Sequence, residues 1–217
     1  MQQVNLVLIG PPGSGKGTQA ALIRERYSVP AISTGDILRA AVKARTDLGL
    51  KVKATMEAGD LVSDVLMVDL VRSRLAQPDT EKGFILDGFP RTIGQAHALD
   101  ALMDGRPLRA IVLSVPDGEL ERRLRSRRIC SACKTLYTGG TSYGSEAELC
   151  SKCGALLLSR EDDNEQTVKN RLVTYHGVVD PLIAHYRARA ILSEIDGFRE
   201  PARVTVDLFA CIEGCLA

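Results

Sequence analysis

The chain has 217 residues and a formal net charge of +1, because 28 lysines and arginines nearly balance 27 aspartates and glutamates. Hydrophobic residues make up 45% of the chain and charged residues 25%, which is the composition of an ordinary folded domain and excludes a disordered or fibrous chain. The balanced charge argues against nucleic acid as the main partner. No export signal and no apolar run of about 18 residues are visible, so we expect a cytoplasmic protein without a membrane span.

Short apolar runs alternate with helical patterns along most of the chain. Hydrophobic periodicity predicts strands at 4–9, 83–86, 109–115 and 202–206, and helices at 19–27, 36–44, 64–75, 95–102, 118–128 and 164–192. Strands that alternate with helices form a parallel sheet covered on both faces, so we predict an α/β fold. Two stretches break the alternation: residues 33–62 are helical without a strand, and residues 130–159 are rich in Gly, Ser and Cys. We interpret both as insertions on the core.

A glycine-rich segment joins the first predicted strand to the first predicted helix. It has the sequence Gly-Pro-Pro-Gly-Ser-Gly-Lys-Gly-Thr at 10–18, and this context is typical of a phosphate-binding loop. The glycines let backbone N–H groups converge on an anion, the helix N-terminus adds its positive end, and Lys16 supplies a mobile charge. Gly17 stands where the usual pattern has Ser or Thr, and Thr18 follows it. A chance glycine-rich turn is the alternative.

Other residues suited to phosphate chemistry occur further along the chain. Asp87 follows the strand predicted at 83–86, where a carboxylate can hold Mg²⁺ through water. A turn residue at the end of a strand is the alternative. Arginines cluster at 122, 123, 125, 127 and 128, and a guanidinium can donate two parallel hydrogen bonds to a phosphate. The alternative for each arginine is a solvated helical face.

Four cysteines form two Cys-x2-Cys pairs, Cys130 with Cys133 and Cys150 with Cys153. This spacing predicts a zinc site, and four thiolates close the coordination sphere, so the metal would be structural. The segment around them has few large apolar residues, and a metal is a reasonable replacement for a core. Two disulfides or redox thiols are the alternative, which a cytosolic setting disfavours.

Three motifs together resemble the adenylate kinase family. They are the loop at 10–19, Ser-Thr-Gly-Asp at 33–36 and Leu-Asp-Gly-Phe-Pro-Arg-Thr at 86–92, and their order matches. The segments 127–130 and 160–164 resemble the two edges of that family's long lid, so the resemblance covers nearly the whole chain. Gly17 is then the family's own form. The cysteines match the zinc-containing bacterial type, although Thr138 stands where that type has a His.

The resemblance implies a P-loop NTPase-type parallel sheet covered by helices on both faces. The core would comprise residues 1–32, 63–124 and 164–217, with an AMP-binding insertion at 33–62 and a zinc-bearing lid at 125–163. The implied reaction is reversible phosphoryl transfer from Mg·ATP to AMP, which gives two ADP and serves adenine nucleotide homeostasis. The implied cofactors are Mg²⁺ with ATP and structural Zn²⁺, in a monomer without nucleic-acid or membrane partners.

The resemblance also implies roles for individual residues. The positive groups of phosphoryl transfer would be Lys16, Arg91, Arg123, Arg127, Arg160 and Arg171. ATP and its metal would be bound by Gly13, Ser14, Gly15, Lys16, Gly17, Thr18, Asp87, Arg127, Leu136, Tyr137 and the backbone near Arg199. AMP would be bound by Thr34, Arg39, the backbone of Asp60, Leu61 and Val62, and by Gly88, Phe89, Pro90, Arg91, Gln95, Arg160 and Arg171. Gln95 would read the edge of adenine; a solvated residue at a helix start is the alternative.

Two rival functions stay open at this point. Another nucleoside monophosphate kinase, acting on a pyrimidine or guanine nucleotide, would share the phosphate loop, but the long lid and Gln95 argue against it. A more remote alternative is a nucleic-acid-binding protein that uses the cysteine pairs and neighbouring arginines. The balanced charge and an aromatic content of 4% argue against that alternative, because few side chains could stack on bases.

Overall fold

Two sheets organise the molecule. The computed structural model describes residues 3–137 and 149–216, without the side chains of residues 161, 215 and 216, so Thr138 and the rest of 138–148 lie outside the described residues. The strands are β1 (Val4–Ile9), β2 (Ala31–Ser33), β3 (Gly83–Asp87), β4 (Arg109–Ser114), β5 (Arg128–Cys130), β6 (Leu136–Tyr137), β7 (Leu157–Leu158) and β8 (Leu192–Asp196). The larger sheet has the order β2-β3-β1-β4-β8 and is parallel throughout. The smaller sheet, β6-β5-β7, is antiparallel.

The helices connect the parallel strands and cover them. They are α1 (Lys16–Tyr27), α2 (Thr34–Lys43), α3 (Asp47–Ala58), α4 (Asp64–Leu75), α5 (Ile93–Met103), α6 (Asp117–Arg125), α7 (Glu165–Ala188) and α8 (Pro201–Leu216). Short 3-10 turns occur at Pro78–Thr80 and Glu161–Asp163. None of the helices in the described part of the chain has the length and apolar character needed to cross a bilayer.

Strand β1 shows why the sheet needs helices on both faces. All six of its residues are buried, and successive side chains of a strand point to opposite faces. Val7 and Ile9 pack in a core with residues of α4, α5 and α7, whereas Leu6 and Leu8 pack with residues of α1 and α8. A continuous apolar strand is typical of a parallel sheet buried on both sides. The predicted fold class is therefore confirmed.

The ends of three strands bring the predicted motifs together. Leu8 of β1 pairs with Asp87, and Asp87 pairs on its other side with Ser33. Loops that leave the carboxyl ends of parallel strands gather at one edge of the sheet, where open α/β folds bind ligands. The phosphate loop, Asp87 and the segment after Ser33 therefore meet at this edge.

The prediction of a strand at 202–206 is wrong, because this segment lies in α8. Its apolar residues alternate as in a strand, but the buried ones are Val204, Leu208 and Ile212, whose spacing of four residues is that of one helical face. Val206 is 58% exposed. The strand pattern and the helix pattern can be told apart here only when the buried positions are followed over more than five residues.

The fifth parallel strand is β8. Its first residue, Leu192, was predicted to be the last residue of the helix at 164–192. Helix α7 ends at Ala188, and Ala190 adopts a left-handed backbone conformation with φ of 53° before the strand begins. Because β8 lies at the edge of the sheet, it carries polar residues such as Ser193 and Glu194 and lacks the apolar run of a central strand. The helix predicted at 118–128 is likewise shorter, since Arg128 already belongs to β5.

Two pieces project from the parallel sheet. Helices α2 and α3 follow β2 and pack on each other before the chain returns through α4, and the small sheet follows α6. They correspond to the segments predicted as an AMP-binding insertion and a lid. The division of the chain into a core and these two pieces stays a prediction.

Candidate active site

The phosphate loop holds its lysine against its own backbone. Gly15, at the position before α1, has φ of 97°, a left-handed conformation that favours glycine. The Lys16 ammonium donates to the carbonyl oxygens of Gly10 and Pro11 at 2.7 and 2.9 Å. The N-terminus of α1 and this ammonium therefore face the same concave loop, an arrangement that favours an anion.

The structure gives a reason for glycine at position 17. A Cβ built on Gly17 would lie 3.3 Å from Leu136 Cδ1 and 3.7 Å from Asp87 Oδ2. A side chain there would press on Leu136 of the lid strand β6, whereas the distance to Asp87 is that of an ordinary contact. Thr18, the next hydroxyl in the chain, is exposed.

A cavity of about 410 Å³ extends from this loop. Its wall includes 18 of the residues that the sequence assigned to the site, namely Gly13, Ser14, Gly15, Lys16, Gly17, Thr18, Arg39, Leu61, Asp87, Gly88, Pro90, Arg91, Arg123, Arg127, Leu136, Arg160, Arg171 and Arg199. Six other assigned residues do not line it: Thr34, Asp60, Val62, Phe89, Gln95 and Tyr137. Every arginine predicted for phosphoryl transfer thus lies on one wall, although 80 residues separate the first from the last.

Two adjacent carboxylates hold several of these arginines. Arg127 forms a two-point ion pair with Asp163, and the side chains are only 9% and 4% exposed. Arg171 donates to Asp162 at 3.1 Å and to Asp163 at 3.4 Å, and Arg39 donates to Asp162 at 3.3 Å. No motif in the sequence pointed to a role for these two acids, although they stand next to each other two residues after Arg160. Their pairing with cavity arginines needed the fold.

Arg160 is the least satisfied of the cavity arginines. Its side chain is 10% exposed, its nearest described carboxylate is Asp36 at 3.7 Å, and its buried Nε has no hydrogen-bond partner among the described residues. Burial, together with the positive charges of Arg39 and Arg127, lowers the pKa of Arg160 to about 10. A buried unpartnered donor costs free energy, so an anion in the cavity would stabilise this group.

Burial also lowers the pKa of Lys16, to about 8, and the positive charges of Arg91, Arg171 and Arg127 act in the same direction while Asp87 opposes them. A lysine with a lowered pKa penalises the folded state below pH 8, and that penalty disappears as the pH rises towards the ordinary value of about 10.4. A bound polyphosphate would reverse the shift, since negative charge favours the protonated form.

This reversal predicts a pH dependence of ATP binding. Above pH 8 the free protein has lost the Lys16 proton, so binding must take up a proton and the ATP dissociation constant should rise by up to about tenfold per pH unit. Titration calorimetry in buffers of different ionisation enthalpy, at constant free Mg²⁺ and without AMP, measures the proton uptake. A Lys16→Met protein should show neither the uptake nor the slope, and an equal slope in both proteins would contradict the assignment to Lys16.

The residues predicted to bind AMP surround Gly88. Thr34 is fully buried and donates from its hydroxyl to the Gly88 carbonyl at 3.0 Å, and Arg91 Nε donates to the same oxygen at 2.9 Å. Gly88 has φ of 84°, and a Cβ there would lie 2.9 Å from Thr34 Oγ1 and 3.0 Å from Arg91 Nη2. Only glycine fits this turn without displacing the two polar side chains. Gln95 is 1% exposed, so it is not the solvated residue of the alternative interpretation.

The four predicted metal ligands converge in the small sheet. Their Sγ atoms all lie within 4.8 Å of one another, and the pairs Cys130–Cys153 and Cys133–Cys150 are 3.5 Å apart. A tetrahedron with Zn–S bonds of about 2.3 Å has sulfurs about 3.8 Å apart, so the site fits zinc. All four cysteines are free thiols, which argues against the two disulfides.

Both halves of the cysteine cluster have the same local geometry. The Lys134 N–H donates to the Cys130 carbonyl at 3.2 Å, and the Gly154 N–H donates to the Cys150 carbonyl at 2.8 Å. Lys134 and Gly154 both have positive φ, 59° and 72°. Each turn folds its two thiols towards the same point.

Tyr137 lies beside this cluster. Its hydroxyl is 3.2 Å from Cys150 Sγ and 3.0 Å from Ser151 Oγ. A hydroxyl that donates to a metal-bound thiolate orients the ligand. The contacts of Tyr137 therefore favour a role in supporting the cysteines, whereas the sequence resemblance suggested contact with ATP. The backbone near Arg199 was also predicted to contact adenosine; the Arg199 side chain lines the cavity, is 56% exposed and donates to Asp207 at 2.9 Å.

Comparison with known proteins gives a consistent result. A family model described as adenylate kinase matches residues 8–191. A protein named adenylate kinase from Methanocella arvoryzae is 48% identical over 212 residues, which cover 96% of this chain and 98% of the relative. Proteins of that name from Citrifermentans bemidjiense and Archaeoglobus fulgidus are 46% and 44% identical, and the alignments cover 96% and 97% of this chain and 99% and 98% of theirs. The family match includes the phosphate loop, the cysteines and every cavity arginine except Arg199 among those assigned to the site.

Proposed function

The chain belongs to the adenylate kinase family and catalyses reversible phosphoryl transfer between ATP and AMP, and we propose that the cavity around Lys16 is where this transfer takes place. The observation that carries the proposal is that the phosphate loop, Asp87 and the five arginines predicted for phosphoryl transfer all line a single cavity. Phosphoryl transfer depends mainly on positioning and on positive charge around the transferred group. The residues that line this cavity supply both the positioning and the positive charge.

On the donor side, ATP phosphates would lie in the loop at 10–18, with Lys16 at the β- and γ-phosphates. Asp87 lies at the end of β3 and lines the cavity, where it would hold Mg²⁺ through water. The metal that accompanies ATP would neutralise negative charge on the phosphates during transfer. The position of Gly17 next to Leu136 would let the lid strand approach the nucleotide closely.

On the acceptor side, Arg39 and Arg91 would bind the AMP phosphate. Arg39 also forms ion pairs with Asp36 at 2.6 Å and Asp162 at 3.3 Å, so the phosphate would compete with carboxylates for its guanidinium. Gln95 would read the base. No side chain need act as a general base, because the attacking AMP phosphate is already anionic.

The arginines that lie between the two sides would stabilise the transferred group. Arg123 comes from α6, Arg127 and Arg160 come from the two ends of the predicted lid, and Arg171 comes from α7. Closing the lid and the insertion would bring these groups together and exclude water, which would otherwise hydrolyse ATP. Lid opening would then be a candidate for the slow step of turnover.

The test of the function is a coupled assay of ADP formation from Mg·ATP and AMP, with AMP omitted as the control. Fast, AMP-dependent formation of ADP is expected. Offering CMP, UMP and GMP in place of AMP tests the rival nucleotide kinases, which the family match and the relatives do not favour. A protein that forms ADP only with another acceptor would contradict the proposed base recognition by Gln95.

The four cysteines would hold one structural Zn²⁺.

Two further proposals follow the family resemblance: a monomer, testable by analytical ultracentrifugation, and a location in the cytoplasm, testable by cell fractionation.

Zinc should stabilise the lid more than the core, because the described residues of the lid form a minor apolar cluster around Cys130, Cys150 and Leu157. We expect one Zn²⁺ per chain by elemental analysis, and its loss in a Cys150→Ser protein. Limited proteolysis should then cut between residues 125 and 163 much faster, whereas the main thermal transition changes less. A Cys211→Ser protein, altered on α8 outside the cluster, is the control and should keep its zinc. Unchanged zinc content in Cys150→Ser would refute the site.

A further inference from the structure

A hydrogen-bonded bridge joins the start of α4 to the start of α5. Asp64, the first residue of α4, accepts from the Thr92 hydroxyl at 2.7 Å with one carboxylate oxygen and from Gln95 Nε2 at 2.8 Å with the other. Gln95 Oε1 accepts from the backbone N–H of Arg91 at 2.8 Å. Both polar atoms of a buried amide are therefore held by protein groups.

The chemistry of these partners fixes which way the amide faces. An ionised carboxylate only accepts hydrogen bonds, and a backbone N–H only donates. Asp64 therefore requires the nitrogen of Gln95 on its side, and Arg91 requires the oxygen on the other. Rotation of the amide by 180° would set its oxygen against a carboxylate and its NH₂ against an N–H. These two contacts leave one N–H and one oxygen lone pair of Gln95 for another partner.

The remaining N–H and oxygen lone pair of Gln95 can distinguish one purine base from another. Adenine presents an acceptor at N1 and a donor at its 6-amino group, whereas hypoxanthine and guanine present a donor at N1 and an acceptor at O6. A site built to pair with one arrangement rejects the other, because buried polar groups would be left unpaired. The orientation of the Gln95 amide therefore decides which arrangement the site accepts.

We propose that Asp64 is a positioning residue for acceptor specificity, which locks Gln95 in the orientation that reads adenine. The proposal rests on the proposed function, in which Gln95 contacts the base of AMP. Gln95 is 1% exposed and does not line the cavity, so neighbouring groups must move before a base reaches it, and we assign this movement to the 33–62 insertion. All members of the bridge lie in α4, α5 and the loop before α5, outside that insertion. The bridge can therefore keep the amide oriented while the insertion opens and closes.

The N-terminus of α5 supports the same geometry. Thr92 caps this helix by accepting from the Gln95 N–H at 3.2 Å, while its own hydroxyl proton goes to Asp64. A Cβ on Gly94 would lie 3.0 Å from Asp64 Oδ2, so the turn approaches the carboxylate closely. Asp64 thus holds Thr92, which caps the helix, and also the side chain of Gln95, which would read the base.

The test is an Asp64→Asn protein assayed with saturating Mg·ATP and with AMP or IMP as the acceptor. Asparagine has the shape of aspartate but can donate as well as accept, so it no longer forbids the rotated amide. We expect KM for AMP to rise about tenfold, because a charge-assisted hydrogen bond is lost. The ratio of kcat/KM for AMP to that for IMP should fall by a similar factor, while KM for ATP changes less than about twofold.

An Asp69→Asn protein is the matched control. Asp69 lies on the same helix, and its 2.6 Å ion pair with Arg72 is exposed, so the same chemical change should leave both acceptor constants unchanged. If Asp64→Asn folds poorly in a thermal melt, Asp64→Ser removes the carboxylate with a residue that suits a helix start. An equal fall in activity with AMP and IMP would indicate a merely structural role and overturn the proposal.

A Gln95→Leu protein separates this proposal from the proposed function. If it keeps the wild-type preference for AMP over IMP, Gln95 does not read the base and the proposed function of that residue fails. If Gln95→Leu loses the preference while Asp64→Asn keeps it, the role of Gln95 stands and the role of Asp64 is refuted.

Discussion

Replacing Lys16 with methionine should lower kcat by about a thousandfold or more while the protein stays folded. Methionine has nearly the length of lysine but carries no charge, so the loop keeps its shape and loses the group that follows the β- and γ-phosphates. Among the described residues, the lysine ammonium donates to two loop carbonyls and, at 3.4 Å, to Ser14 Oγ. Since burial already lowers its pKa to about 8, removing the charge should cost little stability.

The measurement is steady-state ADP formation alongside a thermal melt. Lys53→Met is the matched control, because Lys53 is 57% exposed and forms only a 3.6 Å helical ion pair with Glu57 among its described contacts. This control should retain activity within about twofold, since exposed ion pairs contribute little. A Lys16→Met protein that turns over at near-normal rates would show that the loop at 10–18 does not bind the transferred phosphate.

Replacing Arg160 with methionine should lower kcat by about a hundredfold to a thousandfold and leave the fold intact or slightly more stable. Among the cavity arginines, Arg160 has the weakest protein contacts, since its Nε is buried without a described partner and Asp36 is 3.7 Å away. Of the cavity arginines, Arg160 is therefore the one whose positive charge has the weakest described partners when no anion is bound. The loss should fall mainly on kcat, because the negative charge it meets is largest during transfer.

Arg127 would make a poorer test of the same idea. It forms a buried two-point pair with Asp163, and its removal would leave this buried carboxylate with the longer 3.4 Å contact to Arg171, which is destabilising. Arg125→Met is the control for Arg160→Met, because Arg125 is 60% exposed and pairs with Glu165 at 3.4 Å outside the cavity wall. Equal activities of the Arg160→Met and Arg125→Met proteins would remove Arg160 from the transfer site.

The paired acids Asp162 and Asp163 give these arginines a second role. Without phosphate, their carboxylates bind Arg39, Arg127 and Arg171, so several positive charges can lie close together in the folded chain. Nucleotide phosphates would compete for the same donors. A dense cluster of guanidiniums therefore depends on acids that no phosphate-binding motif includes.

The sequence by itself determined the features that depend on local order. The strand-loop-helix context of Lys16 predicts an anion site, because glycine conformations and a helix N-terminus act within ten residues. The two Cys-x2-Cys pairs predict a metal cluster, because each pair places two thiols on one short turn. The four sulfurs do converge. The alternation of apolar runs with helical patterns predicts a parallel sheet covered on both faces, as the structure shows.

Tertiary structure alone decided the features that depend on distant partners. The segment 202–206 has a strand-like alternation, yet packing of Val204 and Leu208 in the core with α1 makes it helical, because tertiary burial overrides a short pattern. Gln95 looks like a solvated residue in the sequence, and only the approach of Asp64 and Arg91 shows that its amide is buried and oriented. The convergence of Arg91, Arg160 and Arg171 on one cavity likewise needs the fold, because Arg91 follows β3, Arg160 follows β7 and Arg171 lies within α7.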